Sequence, residues 1–249
     1  MSGHSKWAGI KHKKAVVDAR RGKLFAKRLR AIEVAAREGG GKIDANPTLA
    51  DAVARARDDS IPTDTIERAI KRGTGELEGV TYETLTYEGY APGGVAVLVE
   101  VLTDNRNRAA ADVRRVFTRY GSSLAEPGSV SWMFTKRGVV LVPKDAASED
   151  ELLDVALQAG AEDLSDQGDA WQVTSAPGDL PRVRAAIEAA GFAVESAQTT
   201  MEPSALVGLD REGARAVLRL LDALEELDDV QEVHSNFDVP DDVMAELAG

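Results

Sequence analysis

The stretch GVAVLVEVLT, residues 94–103, limits what this chain can fold into more than any other. It is nearly all apolar, and its longest unbroken run, Val95 to Val99, is far too short to span a bilayer. A short run rich in Val is a strand, and one apolar at almost every position lies at the centre of a sheet. Tyr82–Glu88 supplies a neighbouring strand. TDNRNR then turns into a helix at Arg108–Tyr120 that buries Ala109, Val113, Phe117 and Tyr120. In SVSWMF, Val130, Trp132 and Phe134 alternate, which predicts a third strand. Near the far end, Glu212–Leu227 is an amphipathic helix with Ala216, Leu220, Leu224 and Leu227 inward, followed by a strand around Val230–Phe237. That helix and strand cannot bury their apolar faces alone, so they complete the earlier sheet as a split βαβ, ferredoxin-like layer.

Upstream of Tyr82 the period is helical. From Asp18 to Arg37, Phe25, Leu29, Ile32 and Ala36 form one stripe, and Gly39-Gly40-Gly41 ends the helix. Asn46-Pro47 opens a second helix with Leu49, Val53 and Ala56 inward. Pro62, Asp64 and Glu67 start a third, which buries Ile66 and Ile70 and stops at Gly73. Between the two ends of the sheet lies a further unit. It has a strand Gly138–Val142, a helix with a capping box (Ser148 and Glu151) and a strand Ala170–Thr174, then a helix Pro181–Ala190 and a strand Phe192–Gln198. The expected fold is α+β and multidomain: an N-terminal three-helix bundle, then two ferredoxin-like α+β domains, one inserted in the other. The expected boundaries are 1–79 for the basic helical domain, 80–134 with 203–249 for the discontinuous α+β domain, and 135–202 for the acidic insert.

Charge is divided along the same lines. Residues 1–42 hold 12 basic and 3 acidic residues, while the remainder holds 18 basic and 39 acidic, for a net −12. A basic head on an acidic body suggests local contact with a polyanion through the head. With no cysteine there are no disulfides, thiolate metal sites or thiol nucleophiles. The N-terminus has no apolar signal core, and its lysines differ from the Arg- and Ser-rich pattern of a transit peptide, so a soluble, cytoplasmic protein is expected.

No residue constellation implies catalysis. RGTGELEG lacks the spacing of a phosphate loop, and His4, His12 and His234 are not paired with a base and an orienting group. His4 and His12 have no third metal ligand nearby, so neither a cofactor nor a metal is expected. A magnesium-dependent nucleic-acid enzyme is the remote alternative, and it would rest on Asp104 or Glu151. A pure protein-interaction module would leave residues 2–14 dispensable. The basic residues carry more. Arg20, Lys23, Lys27, Arg30 and Arg37 lie opposite the apolar stripe of the first helix, with Arg21 and Arg28 on a flank, a face suited to phosphates. Lys6, Lys11, Lys13 and Lys14 precede it, with Trp7 able either to stack on a base or to cover the bundle. Arg106, Arg108, Arg114 and Arg115, followed by Arg119, form a second cluster that either meets phosphates or pairs with the acidic body.

GHSKWAGIKHKK, ERAIKRGTG, YEGYAPGGVAVLVEVLTDNRNR and GSVSWMF, in this order and spacing, resemble the YebC family over nearly the whole chain. The resemblance implies a helical domain and two α+β domains, the third inserted in the second, and no catalytic residue. Members are usually described as transcriptional regulators that bind DNA. The family also includes a mitochondrial translational activator and bacterial relatives linked to relieving ribosomes stalled at proline-rich stretches. Carried onto this chain, the nucleic-acid surface falls on His4, Ser5, Lys6, Trp7, Lys11, His12, Lys13 and Lys14 plus the basic helix face. The expected partner is therefore DNA or ribosomal RNA, with the ribosome itself a candidate and no membrane.

Overall fold

The computed structural model describes residues 18–239, and of residues 18–21 only the backbone. These residues divide into two compact units, Met133–Ser204 and a larger one holding the rest. In the larger unit, α1 (Asp18–Gly39), α2 (Pro47–Asp58) and α3 (Thr63–Gly73) come first. Ile32, Ala35 and Ala36 of α1 are buried with Leu49, Ala52, Val53 and Ala56 of α2 and Ile66 and Ala69 of α3. Gly40, at φ 85°, takes the left-handed conformation that closes α1. Asn46 joins two helices: its side chain accepts from Leu49 N to cap α2 and donates to Ala35 O and Gly40 O at 2.8 Å.

After α3 come β1 (Glu83–Ala91), β2 (Val95–Thr103), α4 (Arg106–Arg119) and β3 (Ser123–Leu124). The smaller unit holds β4 (Phe134–Pro143), α5 (Glu149–Gln158), β5 (Ala161–Asp166), β6 (Ala170–Ser175), α6 (Leu180–Ala189) and β7 (Ser196–Pro203). The chain returns to the larger unit as β8 (Val207–Gly208), α7 (Arg211–Glu225), β9 (Val230–Ser235) and β10 (Phe237–Asp238).

The sheet of the larger unit runs β3-β1-β2-β9 with antiparallel neighbours, so β2 is central. Val95, Val97, Val99 and Val101 form one face of β2 and share a core with Val113 and Phe117 of α4 and Val217, Leu221 and Leu224 of α7. Ala96, Leu98 and Leu102 on the other face are also buried, which accounts for the unbroken apolar run. The smaller unit orders its strands β5-β6-β4-β7, all antiparallel, and its β-α-β-β-α-β sequence gives the ferredoxin-like layer. The fold is thus mixed α+β, helical first and then sheet.

Three strand assignments differ from expectation. SVSWMF does not form a strand of the first sheet: Ser131–Met133 is a 3-10 turn and Phe134 opens β4. Its amides are taken by a side chain, Glu88, rather than by a neighbouring strand, so alternation there carries no pairing. β3 is the strand beside β1 instead. β5 had no expected counterpart because AEDLSD lacks an apolar rhythm; it is an edge strand held by its backbone to β6. The last strand of the smaller unit begins at Ser196 rather than Phe192, because Phe192 and Val194 pack against the core before strand pairing starts.

Candidate nucleic-acid interface

Of the basic face expected on α1, Lys23, Lys27 and Arg30 turn to the end of α7, while Arg37 donates to Val80 O at 2.9 Å. Lys23 Nζ donates to Glu226 O at 3.2 Å and lies 3.2 Å from Asp228 Oδ1. Lys27 Nζ donates to Glu225 O at 2.6 Å. Arg30 donates to Asp228 O at 2.7 Å and to Asp229 Oδ1 at 3.3 Å, and its guanidinium sits 5.7 Å from the centre of the Tyr82 ring. The last carbonyls of a helix lack intrahelical donors and carry the negative end of its dipole. α7 has no basic residue in its own last turn, so α1 supplies the cations. Burial lowers the Lys27 pKa to about 8, against the opposing pull of Glu225 and Asp228, with Lys23 and Arg28 adding to the lowering. Arg20 lies in α1, but its side chain, like His4, Ser5, Lys6, Trp7, Lys11, His12, Lys13 and Lys14, is outside the described residues.

Arg108 of the second cluster also has internal partners. Its guanidinium grips Asp229 through Nε at 3.2 Å and Nη2 at 2.8 Å, and reaches Asp104 Oδ1 at 2.7 Å. Asp229 is buried and also accepts from the Thr103 hydroxyl at 2.9 Å. The hydrogen bonds to Asp229 and Asp104 raise the Arg108 pKa, and the bond from Arg108 holds the Asp104 carboxyl below its usual range. A cleft of about 580 Å³ opens here, with Lys23, Arg30 and Arg108 facing Asp104, Asp112 and Asp228. Its charges are already neutralised in pairs.

The other arginines of α4 are different. Arg106, Arg114, Arg115 and Arg119 are exposed. Arg115 pairs with Asp112 at 3.0 Å. Among the described residues, Arg106, Arg114 and Arg119 make no ion pair with a carboxylate. Arg119 instead lies 5.8 Å from the centre of the Tyr120 ring. These three arginines are the cations that α4 offers outward.

Two further groups were invisible in the sequence. Glu88 is 7% exposed, and its carboxylate accepts the amides of Gly128 (2.7 Å), Val130 (2.7 Å) and Ser131 (2.9 Å). This clamps the loop that ends at Trp132, an indole 71% exposed. The second group joins the bundle to the sheet: Arg55 of α2 bonds Glu232 of β9 and lies 3.1 Å from Asp51 as an ion pair, while His234 Nε2 lies 3.4 Å from Glu100 and 3.7 Å from Glu232. A polar residue at an otherwise apolar strand position, as at Glu88, Glu100 and Glu232, is the one sequence signal such groups leave. The carboxylates on which a magnesium enzyme would rest have structural partners, Asp104 in Arg108 and Glu151 in the Ser148 N–H and hydroxyl. Among the described residues no group of three or more His, Asp or Glu side chains could hold a metal ion, and no helix is long and apolar enough to cross a membrane.

Residues 5–76 match the model of the TACO1/YebC protein N-terminal domain, and residues 82–237 match that of the TACO1/YebC second and third domain. A protein of Acidothermus cellulolyticus named "Probable transcriptional regulatory protein" is 59% identical over 99% of this chain and 100% of its own length. One of the same name from Rubrobacter xylanophilus is 60% identical over the full length of both. Among solved structures, a conserved hypothetical protein from Aquifex aeolicus is 47% identical and superposes with a TM-score of 0.81, covering 91% of this chain and 94% of its own. This chain belongs to the TACO1/YebC family.

Proposed function

We propose that this chain is a non-enzymatic, nucleic-acid-binding regulator of gene expression. The observation that carries the reading is that Arg106, Arg114 and Arg119 of α4 stand exposed without carboxylate partners among the described residues. A protein of net charge −12 repels a polyanion over most of its surface, so unpaired cations decide where contact is made. The basic segment His4, Ser5, Lys6, Trp7, Lys11, His12, Lys13 and Lys14 adds phosphate contacts from the head. The name carried by the relatives supports transcriptional regulation, and on that reading duplex DNA is the target we propose. The second reading is a ribosome-associated, RNA-binding translation factor, and the exposed indole of Trp132 favours it, because unpaired bases offer faces to stack on.

The test is binding of the purified full chain to labelled duplex DNA and to ribosomal RNA at stepped salt concentrations. Counterion release makes the logarithm of affinity fall linearly with the logarithm of salt. Replacing Arg106, Arg114 and Arg119 by Ala should flatten that slope by about one unit per residue. A chain whose binding ignores salt, or ignores these three changes, would refute the reading. Sedimentation of lysate separates the two targets: co-migration with ribosomes, lost on Lys11→Ala/Lys13→Ala/Lys14→Ala, favours RNA.

A further inference from the structure

We infer that Trp132 is a stacking platform for an unpaired nucleobase, so that the nucleic acid this chain binds is single-stranded or looped where it meets the α+β domain. The inference rests on the nucleic-acid reading above and names the kind of partner. Three observations lead to it. Trp132 is 71% exposed, more than Leu77, Val80, Leu157 and Leu206, the other exposed large apolar side chains among the described residues. Leaving an indole in water is unfavourable, and a mobile loop would fold it back onto apolar surface. This loop is instead anchored by the buried Glu88, which takes the amides of Gly128, Val130 and Ser131. The ring is therefore held out by a built support.

The second observation concerns what the ring can still offer. Its Nε1–H donates to Ser129 O at 3.0 Å, and the Tyr90 hydroxyl donates to the same carbonyl at 3.2 Å. With its only donor used internally, the indole presents a π-face and no hydrogen-bonding group. A flat aromatic partner suits that surface, and every base has such a face.

The third is the setting. Gly89 faces α4, since a Cβ there would meet Phe117 Cε1 at 2.5 Å. Side chains alternate along a strand, so Glu88 and Tyr90, which hold the loop, point to the other side of β1. The loop that carries the ring is therefore held on the side of β1 away from α4.

The experiment measures dissociation constants of the full chain for a short single-stranded RNA and for a duplex of the same length, comparing wild type, Trp132→Ala and Trp132→Phe. Stacking contributes about 1–3 kcal/mol per base, which converts to roughly 5- to 150-fold. Trp132→Ala should weaken single-strand binding by that factor and leave duplex binding unchanged, while Trp132→Phe should keep most of the affinity. Incorporated fluorotryptophan gives a second readout: the ¹⁹F resonance missing from Trp132→Phe should shift when the single strand is added to wild type. If wild type binds neither strand form, the nucleic-acid reading and this inference fall together. If wild type binds and Trp132→Ala binds equally well, or loses both forms alike, this inference alone is overturned and the ring becomes a protein contact or a structural residue.

Discussion

The Glu88→Gln substitution tests the loop clamp most directly. Glu88 accepts three backbone amides, one at Oε1 and two at Oε2, from residues 40 to 43 positions away. Gln keeps the shape but has one acceptor oxygen, and its NH₂ group must face an N–H. If the oxygen serves Val130 and Ser131, the Gly128 amide loses its partner. Hydrogen bonds to a charged acceptor contribute about 1.5–3 kcal/mol each, and a buried unsatisfied donor costs about 1–3 kcal/mol. Of the three donors only Val130 belongs to a buried residue, and water can reach Gly128 and Ser131 in part. Discounting for that access, Glu88→Gln should cost about 2–3 kcal/mol of local stability.

Amide hydrogen exchange reads this cost where it arises. Protection of Gly128, Val130 and Ser131 should fall roughly 30- to 150-fold, as 1.36 kcal/mol per decade requires. Amides of β2 should keep theirs. The carboxyl also sets a pH dependence. Burial pushes its pKa up, but the amides of Gly128, Val130 and Ser131 and the Ser131 hydroxyl outweigh that, leaving it below the usual range. A depressed folded pKa means the clamp is at full strength above the unfolded-state value, about 4.3, and weakens as pH falls through the folded value. Wild type should therefore lose loop protection under acid while Glu88→Gln shows no such step. Equal protection in both proteins at neutral pH would refute the clamp.

Two further perturbations follow from the same network reasoning. Arg55→Ala leaves the half-buried Glu232 without its guanidinium partner and should cost about 1–3 kcal/mol in urea unfolding, whereas Arg55→Met/Glu232→Leu should recover most of the loss; equal losses in both would show that the pair does not act as a unit. Lys27 should titrate near pH 8 in a ¹³C-ε NMR titration, and because the fold disfavours its charged form, its contribution to stability should rise with pH between about 8 and the unfolded value near 10.4; a midpoint above 10 would contradict the buried site.

The elements easiest to see in the sequence are those whose signal is local. The unbroken apolar run of β2 marked a central strand because both its faces are buried, and Asn46-Pro47 marked the start of α2 because the cap lies within four residues. Where a distant group decides, the local pattern misleads. Val130, Trp132 and Phe134 alternate as a strand would, yet Glu88 captures the amides between them and the ring points to solvent. β5 leaves little apolar trace, since only Ala161 and Leu164 of it pack against the core and its backbone bonds to β6 do the rest. The same limit applies to charge: the sequence displays Lys23, Lys27 and Arg30 on one face of a helix but not the chain segment about 200 residues later that meets them.

That segment alters what a basic helix face signifies. A polyanion reaching Lys27 or Arg30 has to displace the carbonyls of Glu225 and Asp228 and the carboxylate of Asp229. Each cation would exchange one anionic or dipolar partner for another, and the end of α7 would lose its only neighbouring positive charges from α1. Little free energy comes from such an exchange, and few counterions are released, because internal acids already do the neutralising. Arg106, Arg114 and Arg119 would give up no carboxylate on meeting phosphate, so that exchange would cost less. Lys23, Lys27 and Arg30 thus already hold α1 against the end of α7, whereas α4 carries exposed arginines without carboxylate partners among the described residues.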